Sequence, residues 1–189
     1  GFARPSRYEI MLQPPMAKNT GNIFQQLMGE TSGSGDIRKT SLRCQSIEFP
    51  GRNLDTSPDT NIYGPTREIV QGFSFAEITG IFQCSSDLKE KVFFETWQRL
   101  AYDPQTWNMQ YYDDYVGSMK IFQLDENDRQ RYGIELVECF PKTIAAQSLD
   151  YGAANAIQTV SVGFSYRYWK NLGDEADIPK SLGNRIIDA

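Results

Sequence analysis

The run from Thr159 to Trp169 limits most strongly what this chain can fold into. A period of two is that of a β-strand, whose successive side chains point to opposite faces of a sheet. The run therefore predicts a strand with one buried face and one small, polar face that can meet water or another backbone. The apolar set is Val160, Val162, Phe164, Tyr166 and Tyr168, and the alternate set is Thr159, Ser161, Gly163, Ser165 and Arg167.

Other stretches of the chain predict further strands of the same kind, separated by prolines, glycines and polar turns. The predicted strands are 7–13, 41–49, 66–71, 73–84, 119–124, 132–140, 143–151 and 157–169. Residues 52–65 show no periodicity and predict a long loop. The polar, glycine-rich segment at about 14–39 predicts a surface excursion. It does not fit a phosphate-binding loop, because Gly35 is followed by Asp36 and not by Lys.

A single helix is predicted between Asp87 and Pro104, because apolar residues recur there at three- and four-residue spacings. Ser86 or Asp87 is the expected N-cap, and Asp87 with Glu90 has the spacing of a capping box. The apolar stripe predicts packing against a sheet. Its members are Leu88, Val92, Phe93, Trp97 and Leu100.

The chain length of 189 residues fits one domain. We expect a β domain over residues 1–169 and an extension or docking arm over 170–189. No apolar run approaches the roughly 20 residues that span a bilayer, so no membrane anchor is expected.

The charge and the missing histidines restrict the function. A net charge of −5 argues against binding to a nucleic acid backbone. Without histidine, a Ser-His-Asp or Cys-His site is impossible, and the paired carboxylates lie in hydrophilic runs. The cysteines Cys44, Cys84 and Cys139 lie far apart in apolar runs and resemble small buried hydrophobes. We therefore expect no catalytic residue, no cofactor and no metal site.

A cluster of tyrosines, Tyr111, Tyr112 and Tyr115, surrounds two aspartates. Tyrosine is enriched at subunit contacts, so the favoured interpretation is an amphipathic rim at such a contact. The alternative is an aromatic platform, with Trp107, that binds a sugar or small ligand to a monomeric β-barrel.

Together these patterns predict a mainly β fold, an antiparallel β-sandwich or barrel with one packed α-helix. Edge strands in such a fold must be covered or paired with a neighbour. The long loops, the polar strand face and the tyrosine rim indicate a β-protein that assembles with copies of itself.

Several segments resemble the tail tube proteins of contractile-tailed bacteriophages, in particular those of the T4-like phages. The similarity lies in the order and spacing of the motifs. The residues that carry it are 2–5 (FARP), 44–50 (CQSIEFP), 67–72 (REIVQG), the strand at Phe75, the helix residues 94–98, and 134–169 with its closing Tyr-x-Tyr-Trp. Segments 14–39 and 170–189 are longer than the family pattern. The alternatives are that they decorate the tube, contact the sheath or mark a specialised tube-like protein of the baseplate.

The resemblance implies hexameric rings that stack into a hollow tube, with neighbouring strands joined into one continuous β-barrel lumen. It implies tail sheath, baseplate and tail terminator proteins as partners, and DNA that passes through the lumen without specific binding. The expected location is the virion tail, assembled in the host cytoplasm. A baseplate tube-initiator protein and a type VI secretion tube subunit are the alternatives. Thr159, Ser161, Ser165 and Arg167 then become the candidate lumen or inter-subunit face.

Overall fold

The computed structural model describes residues 3–15, 34–61, 63–152 and 156–173, with side chains from residue 37 onward in the second range. Within these ranges the elements in chain order are β1 (Tyr8–Gln13), α1 (Ser34–Leu42), β2 (Cys44–Ile47), β3 (Asn53–Asp59), β4 (Arg67–Ser74), β5 (Ile78–Gln83), α2 (Lys89–Ala101), α3 (Tyr112–Tyr115), β6 (Gly117–Leu124), β7 (Gln130–Ile144), β8 (Thr159–Ser165) and β9 (Tyr168–Asn171).

The strands confirm the expected mainly antiparallel β architecture. Seven of them form one sheet in the order β1-β6-β7-β8-β5-β2, with β9 paired to β7. β3 and β4 form a separate two-stranded sheet. All the described strand pairs are antiparallel.

The long strand β7 changes partners part-way along its length. Its first part pairs with β6 and β9, and Phe140 to Ile144 pair with β8. The change falls at Glu138, which the register between β6 and β7 skips and whose φ is 55°. A bulge of this kind bends a strand and re-aims its end. One strand therefore serves both halves of the sheet.

The core forms where α2 packs on the inner face of β7 and β8. Val160, Val162 and Phe164 are fully buried, as the alternation of β8 predicts. Phe94 of α2 lies 4.8 Å from Phe82 and 5.8 Å from Phe164 between ring centroids, so the helix and the sheet interlock through aromatic rings.

The helix α2 begins differently from the sequence expectation. Leu88 is the N-cap residue, with no side-chain cap, and neither Ser86 nor Asp87 takes that role. The expected pairing of Asp87 with Glu90 is also wrong. Instead, Glu90 is buried and accepts hydrogen bonds from the Ser85 backbone N–H (2.8 Å) and hydroxyl (3.0 Å), because the chain turns sharply between Ser85 and the helix.

The apolar stripe of α2 is confirmed in part. Phe93, Trp97 and Leu100 are buried, but Leu88 and Val92 are exposed. Phe94 and Thr96 are buried as well, because the helix turns a wider face toward the core than that stripe. A stripe of three- and four-residue spacings gives the period of the face but not its width.

The stretch read as a loop over 52–65 contains β3, which pairs with β4 through seven residue pairs. The prediction failed because Asp, Ser and Pro58 have low strand propensity, and cross-strand pairing overrides it. The expected break at Gly72 is also wrong, because β4 continues through that residue beside a register shift. A bulge in a strand often contains glycine.

Part of the predicted excursion over 14–39 is helical, since α1 covers its last residues and the next strand starts at Cys44 and not at residue 41. Residues 16–33 lie outside the described residues. α1 is fastened to β1 by Ser41, whose hydroxyl accepts the Leu12 backbone N–H (3.2 Å) and donates to the Ile37 carbonyl (2.9 Å).

Two further boundaries differ from the prediction. β7 continues through Pro141 and ends at Ile144, so the separate strand predicted over 143–151 does not form. The missing N–H of Pro141 is tolerated because the ladder to β8 shifts register between Pro141 and Thr143. The predicted strand over 157–169 splits into β8 and β9, which pair with different parts of β7. Residues 153–155, between the two predicted strands, are outside the described ranges.

Glu90 provides a pH-dependent test of this fold. Burial favours a raised pKa for its carboxyl, but hydrogen bonds from Ser85 and the ion pair with Arg43 prevail and hold the pKa below its ordinary 4.5. A depressed pKa stabilises the fold above the unfolded-state pKa, and that stability disappears as the pH falls through the folded-state value. We expect Glu90→Gln to lose about 1–3 kcal/mol in urea unfolding at pH 7, since hydrogen bonds to a buried charge are removed.

The difference between wild type and Glu90→Gln should shrink as the pH falls below about 4.5. Glu95→Gln is the matched control, because that carboxylate is on the same helix, 41% exposed, and 3.9 Å from Lys91. It should change stability by less than about 0.5 kcal/mol. A constant difference across pH would contradict the role given to Glu90.

Candidate subunit interface

The hairpin β3–β4 has one face rich in apolar groups and one mainly polar face, which also carries Ile69, paired with Ser57 and 47% exposed. Leu54 is paired with Phe73, and Thr56 with Val70, so these four side chains lie on the same face. Leu54 and Val70 are each 54% exposed and Phe73 is 61% exposed. The hairpin therefore presents large apolar groups to its surroundings.

The opposite face of the hairpin is held by polar contacts. The Ser74 hydroxyl donates to Asp55 at 2.8 Å, and the Arg67 guanidinium donates to Asp59 at 3.2 Å. An isolated two-stranded hairpin is marginally stable in water, and contiguous exposed apolar groups mark interaction sites. The geometry identifies the apolar face as the candidate interface of this chain.

The three candidate rim tyrosines lie together but have different environments. Tyr111 is 84% exposed and Tyr112 is partly exposed, which suits a rim. Tyr115 faces inward: its ring packs edge-on against Phe140 at 5.3 Å. The Tyr115 backbone carbonyl also accepts the Trp97 indole N–H at 2.8 Å. The structure thus separates two exposed tyrosines from a third that is partly buried against the core.

Glu138 brings the rim and the β8–β9 connection together. The Tyr112 hydroxyl donates to one oxygen of its carboxylate at 3.0 Å, and the Arg167 guanidinium donates to the other at 2.9 Å. Burial and then the bond to Glu138 raise the pKa of Tyr112 to about 12. The hydrogen bond that Arg167 donates to Glu138 raises the pKa of Arg167. The left-handed backbone of Glu138, with φ of 55°, costs on the order of 1 kcal/mol. The hydrogen bonds from Tyr112 and Arg167 hold Glu138 in this conformation.

Sequence reasoning singled out Tyr112 and Arg167 but missed the carboxylate between them. One signal was present, since Glu138 interrupts the apolar run of β7. The long sequence separation hid the contact, because no local pattern links residues 112, 138 and 167.

The remaining members of the candidate face lie on β8. Ser161 is paired with Ile81 of β5 and borders a groove of about 770 Å³ with Leu149 and Ile157. Thr159 borders the same groove, and its backbone carbonyl accepts the Gln147 side-chain amide at 2.8 Å. Ser165 ends β8, and Arg167 lies beyond it, turned to Glu138. Thr159, Ser161 and Ser165 thus share one face of β8, and Arg167 follows the strand.

The described part of the chain contains cysteine thiols whose pKa values are raised by burial. Burial raises the pKa of Cys139 and of Cys44 to about 12, so both thiols are protonated at neutral pH. Among the described residues no three histidine, cysteine, aspartate or glutamate side chains form a metal-binding group. No helix within the described ranges has the length and apolarity to cross a membrane.

A family model described as "Phage tail tube protein" matches residues 3–172. The chain belongs to this tail tube family. The match includes every strand from β1 to β9 and ends one residue after β9. A search of curated protein sequences gave no match.

The tail tube fold is also seen in solved contractile injection systems. An anti-feeding prophage baseplate chain has TM-score 0.58 and 12% identity, covering 91% of this chain and 96% of that one. A chain of the PVC extracellular contractile injection system sheath-tube complex has TM-score 0.59 and 10% identity, with 90% of each covered. A PVC sheath/tube terminator chain has TM-score 0.58 and 11% identity, covering 90% and 97%. At these identities the likeness concerns the fold.

The Tyr112–Glu138 contact can be measured with a double-mutant cycle in thermal or urea unfolding. We expect Tyr112→Phe and Glu138→Gln each to destabilise the tail tube protein, with a coupling energy of about 0.5–1.5 kcal/mol from the shared hydrogen bond. Tyr111→Phe is the matched control and should leave the free energy of unfolding unchanged, because that side chain is 84% exposed. A coupling energy near zero would show that the hydrogen bond does not fix the bend.

Proposed function

We propose that this protein is the structural subunit of a contractile-tail tube, in which copies associate into hexameric rings that stack around a hollow lumen. The observation that carries the proposal is the uncovered apolar face of the β3–β4 hairpin, with Leu54, Val70 and Phe73 exposed. Membership of the tail tube family supports another copy of the chain as the group that covers this face.

The strand edges fit the same assembly. β1 and β2 are edge strands of the main sheet. The edge of β1 is partly covered by α1, because the Ser41 hydroxyl accepts the Leu12 backbone N–H. β2 is short and irregular in register. A closed ring gives each remaining edge a partner, which removes the liability that open edges create. We infer that neighbouring copies complete a continuous β-barrel around the lumen.

The partners proposed for the tube are a tail sheath, a baseplate and a tail terminator. The fold neighbours support them, because those chains come from a sheath-tube complex, a baseplate and a sheath/tube terminator. In a phage, the tube conducts DNA into the host, and the net charge of −5 suits a wall that does not grip DNA. The tube would be a virion component assembled in the host cytoplasm.

Two alternatives have the same architecture as the tube subunit, and a third is a monomeric barrel. A baseplate tube-initiator protein or a type VI secretion tube subunit would share the fold and the ring. A monomeric ligand-binding barrel would instead use Tyr111, Tyr112 and Trp107, all partly or largely exposed. Glycan binding that is lost in Tyr112→Ala, with no assembly at high concentration, would favour the barrel over the tube.

The hairpin face can be tested with a matched pair of charge substitutions. Val70→Lys puts an ammonium on the apolar face, and Ser57→Lys puts one on the polar face, between Asp55 and Asp59. We expect six-fold rings or rods in negative stain for wild type and Ser57→Lys. Val70→Lys should form rings only at about tenfold higher protein concentration, since a central interface contact is worth more than 1 kcal/mol. Equal assembly of the two variants would remove the hairpin from the interface.

The β8 face is a separate test. Ser161→Lys with Ser165→Lys should weaken ring formation or reverse the lumen charge if that face lies at a seam or lines the channel. Asn127→Lys is the control, because it lies in the exposed charged turn between β6 and β7. Sedimentation velocity measures assembly, and salt-dependent retention of DNA measures lumen charge. Wild-type behaviour in both assays would refute this placement.

A further inference from the structure

The root of the hairpin contains a stacked trio of side chains. The guanidinium carbon of Arg52 lies 4.5 Å from the ring centroid of Trp169 and 5.6 Å from that of Phe73. The Trp169 indole N–H donates to the Gly51 carbonyl at 3.3 Å. Two contacts to Trp169 therefore reach the backbone and the side chain immediately before β3.

The two rings belong to different parts of the fold. Trp169 lies on β9, pairs with Leu136 of β7 and packs partly buried against the core. Phe73 lies on the hairpin and is mostly exposed. Arg52 thus connects a fixed surface of the main sheet to the arm that leaves it.

The chemistry of the trio suits a clamp. A guanidinium is planar and permanently charged, and it stacks on aromatic faces, of which tryptophan gives the strongest attraction. Lysine would preserve the charge without the flat stacking surface. The contact therefore depends on the shape of the arginine as well as on its charge.

The position of the clamp gives it leverage over the interface. The hairpin extends through seven residue pairs from Asn53–Ser74 to Asp59–Arg67. At about 3.3 Å per residue, its length is on the order of 20 Å. A rotation of about 20° at the root would displace the tip by roughly 7 Å at this strand length. Val70 lies half-way along the hairpin, opposite Thr56, so the same rotation would move it by about half that distance, away from a neighbouring copy.

We propose that Arg52 is a positioning residue, which holds the β3–β4 hairpin at a fixed angle by stacking between Trp169 and Phe73. The apolar face is then presented to the next copy in one orientation, so less conformational entropy is lost when copies associate. The clamp itself is a property of the single chain. Its effect on ring formation rests on the proposed tube function.

The first measurement uses the full chain at a concentration where it is monomeric. Hydrogen exchange of β3 and β4 amides is compared among wild type, Arg52→Ala, Arg52→Lys and Arg67→Ala. We expect Arg52→Ala to speed exchange about threefold to tenfold, from the magnitude of a partly exposed cation–π contact. Arg52→Lys should restore part of the protection. Arg67→Ala, at the far end of the same hairpin, should speed exchange only at the amides of the hairpin tip.

The second measurement is the protein concentration at which rings form, with exchange in α2 as the check that each variant is folded. Arg52→Ala should require about tenfold more protein than wild type, and Arg52→Lys an intermediate amount. Unchanged hairpin exchange in Arg52→Ala overturns the clamp. Faster exchange with wild-type assembly overturns its role in presenting the interface. If wild type fails to assemble, the tube proposal falls, while the exchange data still decide the clamp.

Discussion

The bend of β7 at Glu138 is the constraint on which the rest of the structure depends. Because that one strand pairs first with β6 and β9 and then with β8, both halves of the sheet share a single core under α2. A residue with φ of 55° marks the bend, and Tyr112 and Arg167 bind its carboxylate from either side. Backbone strain at this point is thus stabilised by groups from the two connections that the bend brings together.

The sequence predicted the elements that pack against the core with the same face along their whole length. Val160, Val162 and Phe164 alternate because β8 is buried on one side along its whole length. Phe93 and Trp97 follow the helical period because α2 packs on that same surface. Local pattern reports burial well when one face meets the core throughout the element. The antiparallel β class and the helix over 89–101 were predictable for this reason.

The missed features have partners that are distant in sequence. The spacing of Asp87 and Glu90 predicts a local capping box, yet the ion-pair partner of Glu90 is Arg43. No local pattern links Glu138 to Tyr112 and Arg167, although both donate hydrogen bonds to its carboxylate. β3 was read as a loop because Asp55, Ser57 and Pro58 carry weak strand propensity. Its strand character comes from pairing with β4. Long-range hydrogen bonds and ion pairs leave no periodic signal along the chain.

The same reasoning explains why one of the two strands of the candidate interface, β3, has a weakly strand-like sequence. A hairpin that packed on the core would need apolar side chains at the positions that face the main sheet and α2. β3–β4 instead has an apolar face formed by Leu54, Val70 and Phe73 that remains exposed in the single chain. Its stability as an isolated pair is marginal, so association would stabilise the hairpin and bury its face together. Folding of the arm and assembly of the tube are then energetically coupled steps.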